Sequence, residues 1–374
     1  MTEKKTSAVA AEQPLRRKSL AVAVAAALSG GGVAYAQNLP TGLQTVSGSV
    51  AVSNPSSTSM RLDQSSQNAA MNAQSFSIGA GYRVDVSQPA RSSIMMMNVV
   101  GNNLSSIFGT LTANGQFWLV NPSGVVFGPT ASVDVGGLVA TTLPLSFSDA
   151  VNGKYVFSRS GTAGGVEVQA GAQITSLNGY VGLFAPNVIN NGLIVARMGS
   201  VALAAGDKVS LDMVGDGLIK VAVNEAALNA SVLNSGTIAA DGGNVLLTAR
   251  SANALLDTVI NTDGIIRANT ISNRNGTIIL DGGNAGVVSV AGTVEAKGAN
   301  AGTSGGTVKV LGNYIGLFNS ANVDVSGDSG GGFLLIGGNY HGAGPERNAS
   351  MVYVANDVSI NGDAGTSGNG ANMV

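Results

Sequence analysis

The chain has 374 residues, 44% of them hydrophobic, 5% aromatic and 11% charged, with 53 glycines, no cysteine and a net charge of −2. This apolar content excludes a disordered chain, and the near-neutral balance excludes a basic nucleic-acid-binding face. The missing cysteines exclude a disulfide framework, and the Val, Ile, Leu and Ala bias suits a narrow core of stacked β-branched side chains.

The chain opens on Lys4, Lys5, Arg16, Arg17 and Lys18, followed by an apolar run over 20–28 and by Ala34-Tyr35-Ala36 before Gln37. That order predicts a signal peptide over 1–36, cleaved after the small-x-small pair Ala34 and Ala36 so that Gln37 is the new N-terminus. The run is too short for a membrane anchor and breaks at Gly30-Gly31-Gly32. Arg16-Arg17 also admits a twin-arginine signal, although its flanking residues fit that pattern poorly. No later stretch is apolar enough to span a membrane as a helix.

Residues 46–52 alternate apolar and small polar side chains, as a half-buried strand does, and 83–86 reads as another short strand. Met95-Met96-Met97 has no Cys or His beside it, so it reads as apolar filler and not as a soft-metal site. The most patterned stretch is 113–142. Residues 116–120 form a β run that ends at Asn121-Pro122-Ser123-Gly124, a composition suited to a type I turn. Further β runs follow at 125–127, 133–135 and 138–142, punctuated by Gly128-Pro129 and Gly136-Gly137. Strands this short with no helix between them predict a coiled β path and not a βαβ sheet.

From about residue 165 a loose repeat appears: apolar-x-Asn-x-Gly-x-Ile, a turn, then an apolar strand. Copies begin at Val188, Val232, Val259 and Val288, with Ala291 in the Asn place of the fourth. The first offset, 44 residues, reads as two turns of a solenoid with roughly 20-odd residues per coil; the next two, 27 and 29, read as one coil plus a loop. Strand partners are expected at 244–248, 277–280, 307–311 and 333–336. Residues 225–230 and 251–258 read as short helices, with Ser251 as N-cap of the second. Residues 358–364 open another coil, and the Gly-, Ser- and Asn-rich run after it reads as a coil left without its closing strand, as in a truncated product.

Candidate chemistry is sparse. Asp241-Gly242-Gly243-Asn244 and Asp281-Gly282-Gly283-Asn284 lie 40 residues apart and read as turns, not as a tandem calcium-binding roll. The single histidine, His341, reads as a surface-loop residue, and the single tryptophan, Trp118, as core or cap packing. The carboxylates Asp134, Glu167, Asp207, Asp212, Asp216 and Glu225 are scattered, which argues against a paired-acid enzyme.

Residues 113–142 resemble the secretion domain of two-partner-secretion (TPS) exoproteins, also called the filamentous-haemagglutinin N-terminal or haemagglutination-activity domain. The family pattern is A-N-G-Q, an apolar run, N-P-N-G, V-x-F-G and V-x-V-G-G-L-V-A-[ST]-T. Asn114, Gly115, Gln116, Asn121, Pro122, Gly124, Phe127 and Gly128 match, while Ser123 stands where Asn is usual. Residues 63–79 resemble a second family block, with Asp63 in place of its leading Asn, and Gln37-Asn38-Leu39-Pro40 resembles the family's mature start.

The resemblance covers about residues 37–364. It implies an all-β chain folded as a right-handed parallel β-helix, with an N-terminal cap and short helical or β extra-helical elements. The chain is divided into a TPS domain over 37–275 and β-helical extension repeats over 276–374. It further implies passage through the inner membrane by the general secretory machinery. The periplasmic modules of an Omp85-type outer-membrane barrel then recognise the N-terminal domain, and the chain threads through unfolded to fold at the cell surface. The implied role is adhesin or haemagglutinin, with host-cell or surface glycans as ligands. A haemolysin or contact-dependent toxin carrier shares this domain, and a β-helical polysaccharide-active enzyme is the remoter alternative. The implied motif residues are Asn114, Gly115, Gln116, Asn121, Pro122, Ser123 and Gly124, either read by the transporter or holding the first coils together. No catalytic residue, metal or cofactor is implied. N-terminal sequencing of secreted protein is expected to begin at Gln37, and a start upstream of Ala36 overturns the signal reading.

Overall fold

Side chains alternate inward and outward along each short strand, and the inward ones stack from coil to coil. On one face the inward position is filled successively by Val133, Ile174, Ile194, Ile238, Ile266, Val294 and Val323, each directly paired with the next. All are buried. Their strands run parallel, so each strand's main-chain bonds go to the coils on either side of it. Two further faces complete each turn. One coil runs through Gln173–Thr175, Tyr180–Ala185 and Asn187–Asn190; the next runs through Leu193–Val195, Ser200–Ala205 and Ser231–Asn234. The result is a parallel β-helix. The computed structural model describes residues 39–213, 219–252 and 257–374.

The first coil is capped. Gln44–Ser47 and Val50–Ser56 run antiparallel to Asn68–Ala73 and Ser59–Gln64, closing the N-terminal end of the sheets. Within the helix a regular coil takes twenty residues, as when Ser105 pairs with Val125 or Gln173 with Leu193.

The 44-residue offset is a single coil, not two. Asn187–Asn190 pairs directly with Ser231–Asn234. The surplus leaves the solenoid as an antiparallel hairpin, Lys208–Met213 with Ile219–Glu225, which Tyr155–Ser158 joins as a third strand. Spacing alone cannot separate a full coil from an excursion of the same length. The hairpin also explains why 225–230 is not helical: Glu225 ends a strand and pairs with Lys208 across it, and Ala227 bridges to Ser251. Ser251 is thus a bridge residue and not an N-cap; part of that second expected helix lies outside the described residues. The one α-helix among the described residues is Phe147–Val151, in the segment leading to Tyr155–Ser158. The last coil does gain a closing strand, since Asn372–Met373 pairs with Phe333–Ile336.

The excursion creates a second core. Along 117–120 the side chains alternate: Phe117 and Leu119 enter the solenoid interior, whereas Trp118 and Val120 point outward. The extra-helical segments cover them, so Trp118 is fully buried among Phe157, Tyr180, Phe184 and Val209.

The repeat's asparagine has a clear role in two copies. Asn190, Asn234 and Thr262 are fully buried and stacked at one interior corner. Asn190 Nδ2 donates to Asn234 Oδ1 at 2.8 Å, and Asn234 Nδ2 donates to Thr262 Oγ1 at 3.2 Å. In the third copy Thr262, not Asn261, meets the stack, and in the fourth Val290, not Ala291, ends it. Asn234→Ala strands a buried donor and a buried acceptor and is expected to cost about 2–3 kcal/mol. Asn191→Ala, at the neighbouring half-buried position, is expected to stay within about 0.5 kcal/mol. Urea unfolding followed by Trp118 fluorescence measures both, and equal losses would remove the ladder from the account of stability.

Candidate functional site

The motif begins where the strand Thr110–Val120 crosses a corner at Asn114 and Gly115. Main-chain pairing with Arg83–Ser87 stops at Ala113, and the Asn114 side chain takes over. Asn114 Nδ2 donates to the Gln88 carbonyl, and the Gln88 N–H donates to Asn114 Oδ1, both at 2.7 Å. A primary amide carries one donor group and one acceptor, so it can stand in for a peptide unit where the ladder is broken. The Gly115 N–H donates to Gln88 Oε1 at 3.1 Å. A Cβ on Gly115 would lie 2.7 Å from that oxygen and 2.8 Å from the Ser93 carbonyl, so the close approach requires glycine.

Gln88 is the hub of this corner. It is buried, and its Nε2 reaches the Ser93 carbonyl at 3.0 Å, and Gln64 Oε1 and the Gln116 carbonyl at 3.2 Å. Gln64, one coil earlier and also buried, donates to the carbonyls of Ser66, Gln67 and Ile94. Gln64 lies in the second block of resemblance, so a sequence signal for it existed. Gln88 carried none: a lone Gln before Pro is silent until the coil stacks.

Gln116 links the corner to the second core. Tyr180 donates its hydroxyl proton to Gln116 Oε1 at 2.6 Å and accepts the indole N–H of Trp118 at 2.8 Å. Burial pushes the Tyr180 hydroxyl far above its usual range, so it stays protonated and keeps donating. Trp118 meets Tyr155 edge-on at 5.3 Å, which ties the corner through one tyrosine to the extra-helical sheet.

The second corner is the expected turn. The Gly124 N–H donates to the Asn121 carbonyl at 3.0 Å, and the Ser123 N–H donates to Asn121 Oδ1 at 2.9 Å. Asn121 Nδ2 donates to the Asn103 carbonyl and to Ser105 Oγ, each at 2.9 Å, which fastens the turn to the coil before it. Asn121 has no exposed surface. Gly124 holds φ +123°, and a Cβ there would lie 2.6 Å from Leu104 Cδ1. The Pro122 carbonyl accepts the Gly164 N–H at 2.8 Å, from the coil that follows.

The seven motif residues therefore occupy two successive corners, not one cluster. The strand between them puts the corners roughly 20 Å apart. Only Asn114 and Ser123 are exposed, with Gln116 and Pro122 half-buried. The cleavage residues Ala34, Ala36 and Gln37 lie outside the described residues. Of the other candidates, Asp241 receives Arg267 and the Asn269 N–H, and Asp281 receives Arg250 and the Gly283 N–H. Both hold turns. His341 sits in a short 3₁₀ turn at φ +54°, edge-on to the exposed Tyr340. Among the described residues no three His, Cys, Asp or Glu converge as a metal site would need.

A family model described as the TPS secretion domain matches residues 36–310. A heme/hemopexin-binding protein of Haemophilus influenzae strain Rd is 34% identical over 259 residues, which is 67% of this chain and 28% of that protein. Another Haemophilus influenzae heme/hemopexin-binding protein is 28% identical over 275 residues, 68% of this chain and 29% of the other. The chain thus spans under a third of the length of these curated relatives. The crystal structure of the HMW1 secretion domain from Haemophilus influenzae matches with a TM-score of 0.75 at 25% identity, over 87% of this chain and 84% of that one.

Tyr180→Phe leaves the Trp118 indole N–H and Gln116 Oε1 without their shared partner, at an expected cost of about 1–3 kcal/mol. Since Trp118 is the only tryptophan, its emission should shift in the same variant. An unchanged spectrum with unchanged stability would break the proposed link between corner and second core.

Proposed function

This chain belongs to the TPS secretion domain family, and from that premise we propose that it is the secretion module of a surface adhesin, read by its transporter while extended and locked into coils once outside. TPS exoproteins are exported through the periplasm to the cell surface, and a TPS domain is recognised by an outer-membrane transporter. The finer reading gives that transporter an Omp85-type barrel with periplasmic modules, and leaves the inner membrane to the general secretory machinery.

One observation carries the two-stage reading. Asn121 is wholly buried and both ends of its amide are bonded, so a transporter cannot reach it in the folded domain. In the extended chain the same amide is free, beside a proline that limits the backbone conformations presented. Folding then uses up the groups that were read. Each coil added outside also buries apolar surface at about 25 cal/mol per Å², which opposes back-sliding. The absence of cysteine leaves no cross-link to obstruct threading.

We place the TPS domain at 37–275 and the extension repeats at 276–374. The pairing of Asn244–Ala249 with Thr277–Asp281 runs across that boundary, so the division is one of sequence pattern within a continuous solenoid. The role downstream is binding and not catalysis, with surface glycans as the ligand class. The heme and hemopexin binding in the relatives' names is a second reading, favoured only by the similarity over part of their length.

The test separates reading from folding. A peptide covering 113–128 is expected to bind the transporter's periplasmic modules, and its Asn121→Ala form to bind them more weakly. In cells carrying the transporter, Asn121→Ala is expected to reduce export, while the purified domain still refolds with a loss of about 1–3 kcal/mol. Normal export together with unchanged peptide binding would leave Asn121 a purely structural residue.

A further inference from the structure

Beside the Asn114 corner a cleft of about 580 Å³ runs across four coils, from Ser87 through Asn114 and Gly136 to Leu177. Its size is within the range of small-molecule sites. Two charged side chains line it, Arg91 and Asp134. Val133 and Val135 belong to the interior core, so Asp134 between them points outward. It is exposed and, among the described residues, accepts no hydrogen bond and joins no ion pair. The nearest acid in the same outward column is already committed: Asp85, two coils earlier, holds Arg83 and the Thr112 hydroxyl, each at 2.6 Å. Arg91 is held in place. It sits in a turn closed by the Ala90 N–H on Ser93 Oγ at 3.1 Å and by the Ser93 N–H on the Ala90 carbonyl at 3.0 Å. Its Nη2 donates to the Gly136 carbonyl at 3.4 Å and to the Leu177 carbonyl, from two later coils. Nε and Nη1 remain uncommitted among the described residues. Leu177 is 50% exposed and gives the rim an apolar contact.

We propose that this cleft binds a free α-amino acid with an apolar side chain, its carboxylate on Arg91 and its ammonium on Asp134. This is a binding function apart from secretion. Arg91 and Asp134 share the cleft without pairing with each other. A ligand of a single sign therefore meets one attraction and one repulsion, and a neutral ligand leaves both charges unanswered. A zwitterion answers both. The span selects its length. Gly136, which anchors the guanidinium, is two residues from Asp134, roughly 7 Å along the strand. Charge-assisted contacts take about 2.8 Å each. The ammonium nitrogen and the carboxylate oxygens of an α-amino acid are roughly 3 Å apart. Contact, ligand and contact in series bridge a gap of that size with a slight bend. A dipeptide puts a further ~3.8 Å between its charges and overshoots. The ligand's side chain is left to lie on Leu177.

Titration of the purified, isotope-labelled chain with L-leucine, followed by NMR at the Gly136 and Leu177 amides, tests the site. Leucine is expected to saturate those amides below about 10 mM. Isocaproate, which lacks the ammonium, and isopentylamine, which lacks the carboxylate, are each expected to bind about fivefold more weakly. Asp134→Asn is expected to weaken leucine by the same factor and to leave isocaproate unchanged. Arg91→Gln is expected to weaken leucine and to leave isopentylamine unchanged. Absence of saturation by leucine, half-ligands that bind as tightly as leucine, or an equal loss of leucine and isocaproate in Asp134→Asn would each overturn the proposal. So would a stronger response of the same amides to glucose. If Arg91→Gln fails to fold, Asp134→Asn, whose carboxylate has no partner to lose, decides the matter alone.

Discussion

Everything in this molecule depends on the vertical match of each inward side chain with those directly above and below it. A strand of three to six residues cannot bury itself, and its neighbours in sequence are on other faces. Its partners are the strands twenty or more residues away on the same face, as Ile194 has Ile174 on one side and Ile238 on the other. This suits β-branched aliphatics, which pack with little rotamer freedom to lose. Aromatics on an outward face, such as Trp118, Tyr180 and Phe184, need a separate cover, part of which Phe157 of the extra-helical sheet supplies.

Corners pose the opposite problem. There the chain turns, the parallel ladder is interrupted, and peptide groups inside the bend have no strand partner. The molecule meets this repeatedly with buried primary amides. Gln64 and Gln88 serve the corner next to Asn114, Asn121 fastens the next, and Asn190 and Asn234 line a third. An amide donates and accepts at once and can bond the coil before it and the turn after it. The motif that marks the family is, in geometric terms, two such corners in succession, with Gln116 and Tyr180 carrying the first into the second core.

This division explains what the sequence revealed. Strand alternation, the turn at Asn121-Pro122-Ser123-Gly124 and the coiled β path all come from contacts within a few residues, and those were legible. The 44-residue spacing was misread because a hairpin excursion and a full coil occupy the same length of chain. The helix Phe147–Val151 was missed because packing, not an N-cap side chain, holds it: Ser146 makes no capping bond there. Gln88 and Tyr180 have no local signature, since the partners that give them meaning lie 24 to 28 and 62 to 64 residues away. The motif residues could be named from resemblance, but not that they fall on two corners, nor that Gly115, Asn121 and Gly124 are buried there.

The same geometry bears on how a secreted chain comes to fold. Contacts in a solenoid are nearly one-dimensional, so a coil can form as soon as its neighbour exists. Buried amides sharpen that dependence. Asn121 bonds backward to Asn103 and Ser105 and forward within its own turn, while Pro122 beside it accepts from Gly164 in the following coil. Until both coils stand, these groups are better served by water or by another protein. A partner that holds the chain extended therefore competes with the next coil for the same donors and acceptors, and it loses that competition once the coil has closed. Exposed Asn114 is the informative contrast: its amide is accessible, yet both ends are committed to Gln88. Access and availability are separate properties, and in this fold folding removes the second even where it spares the first.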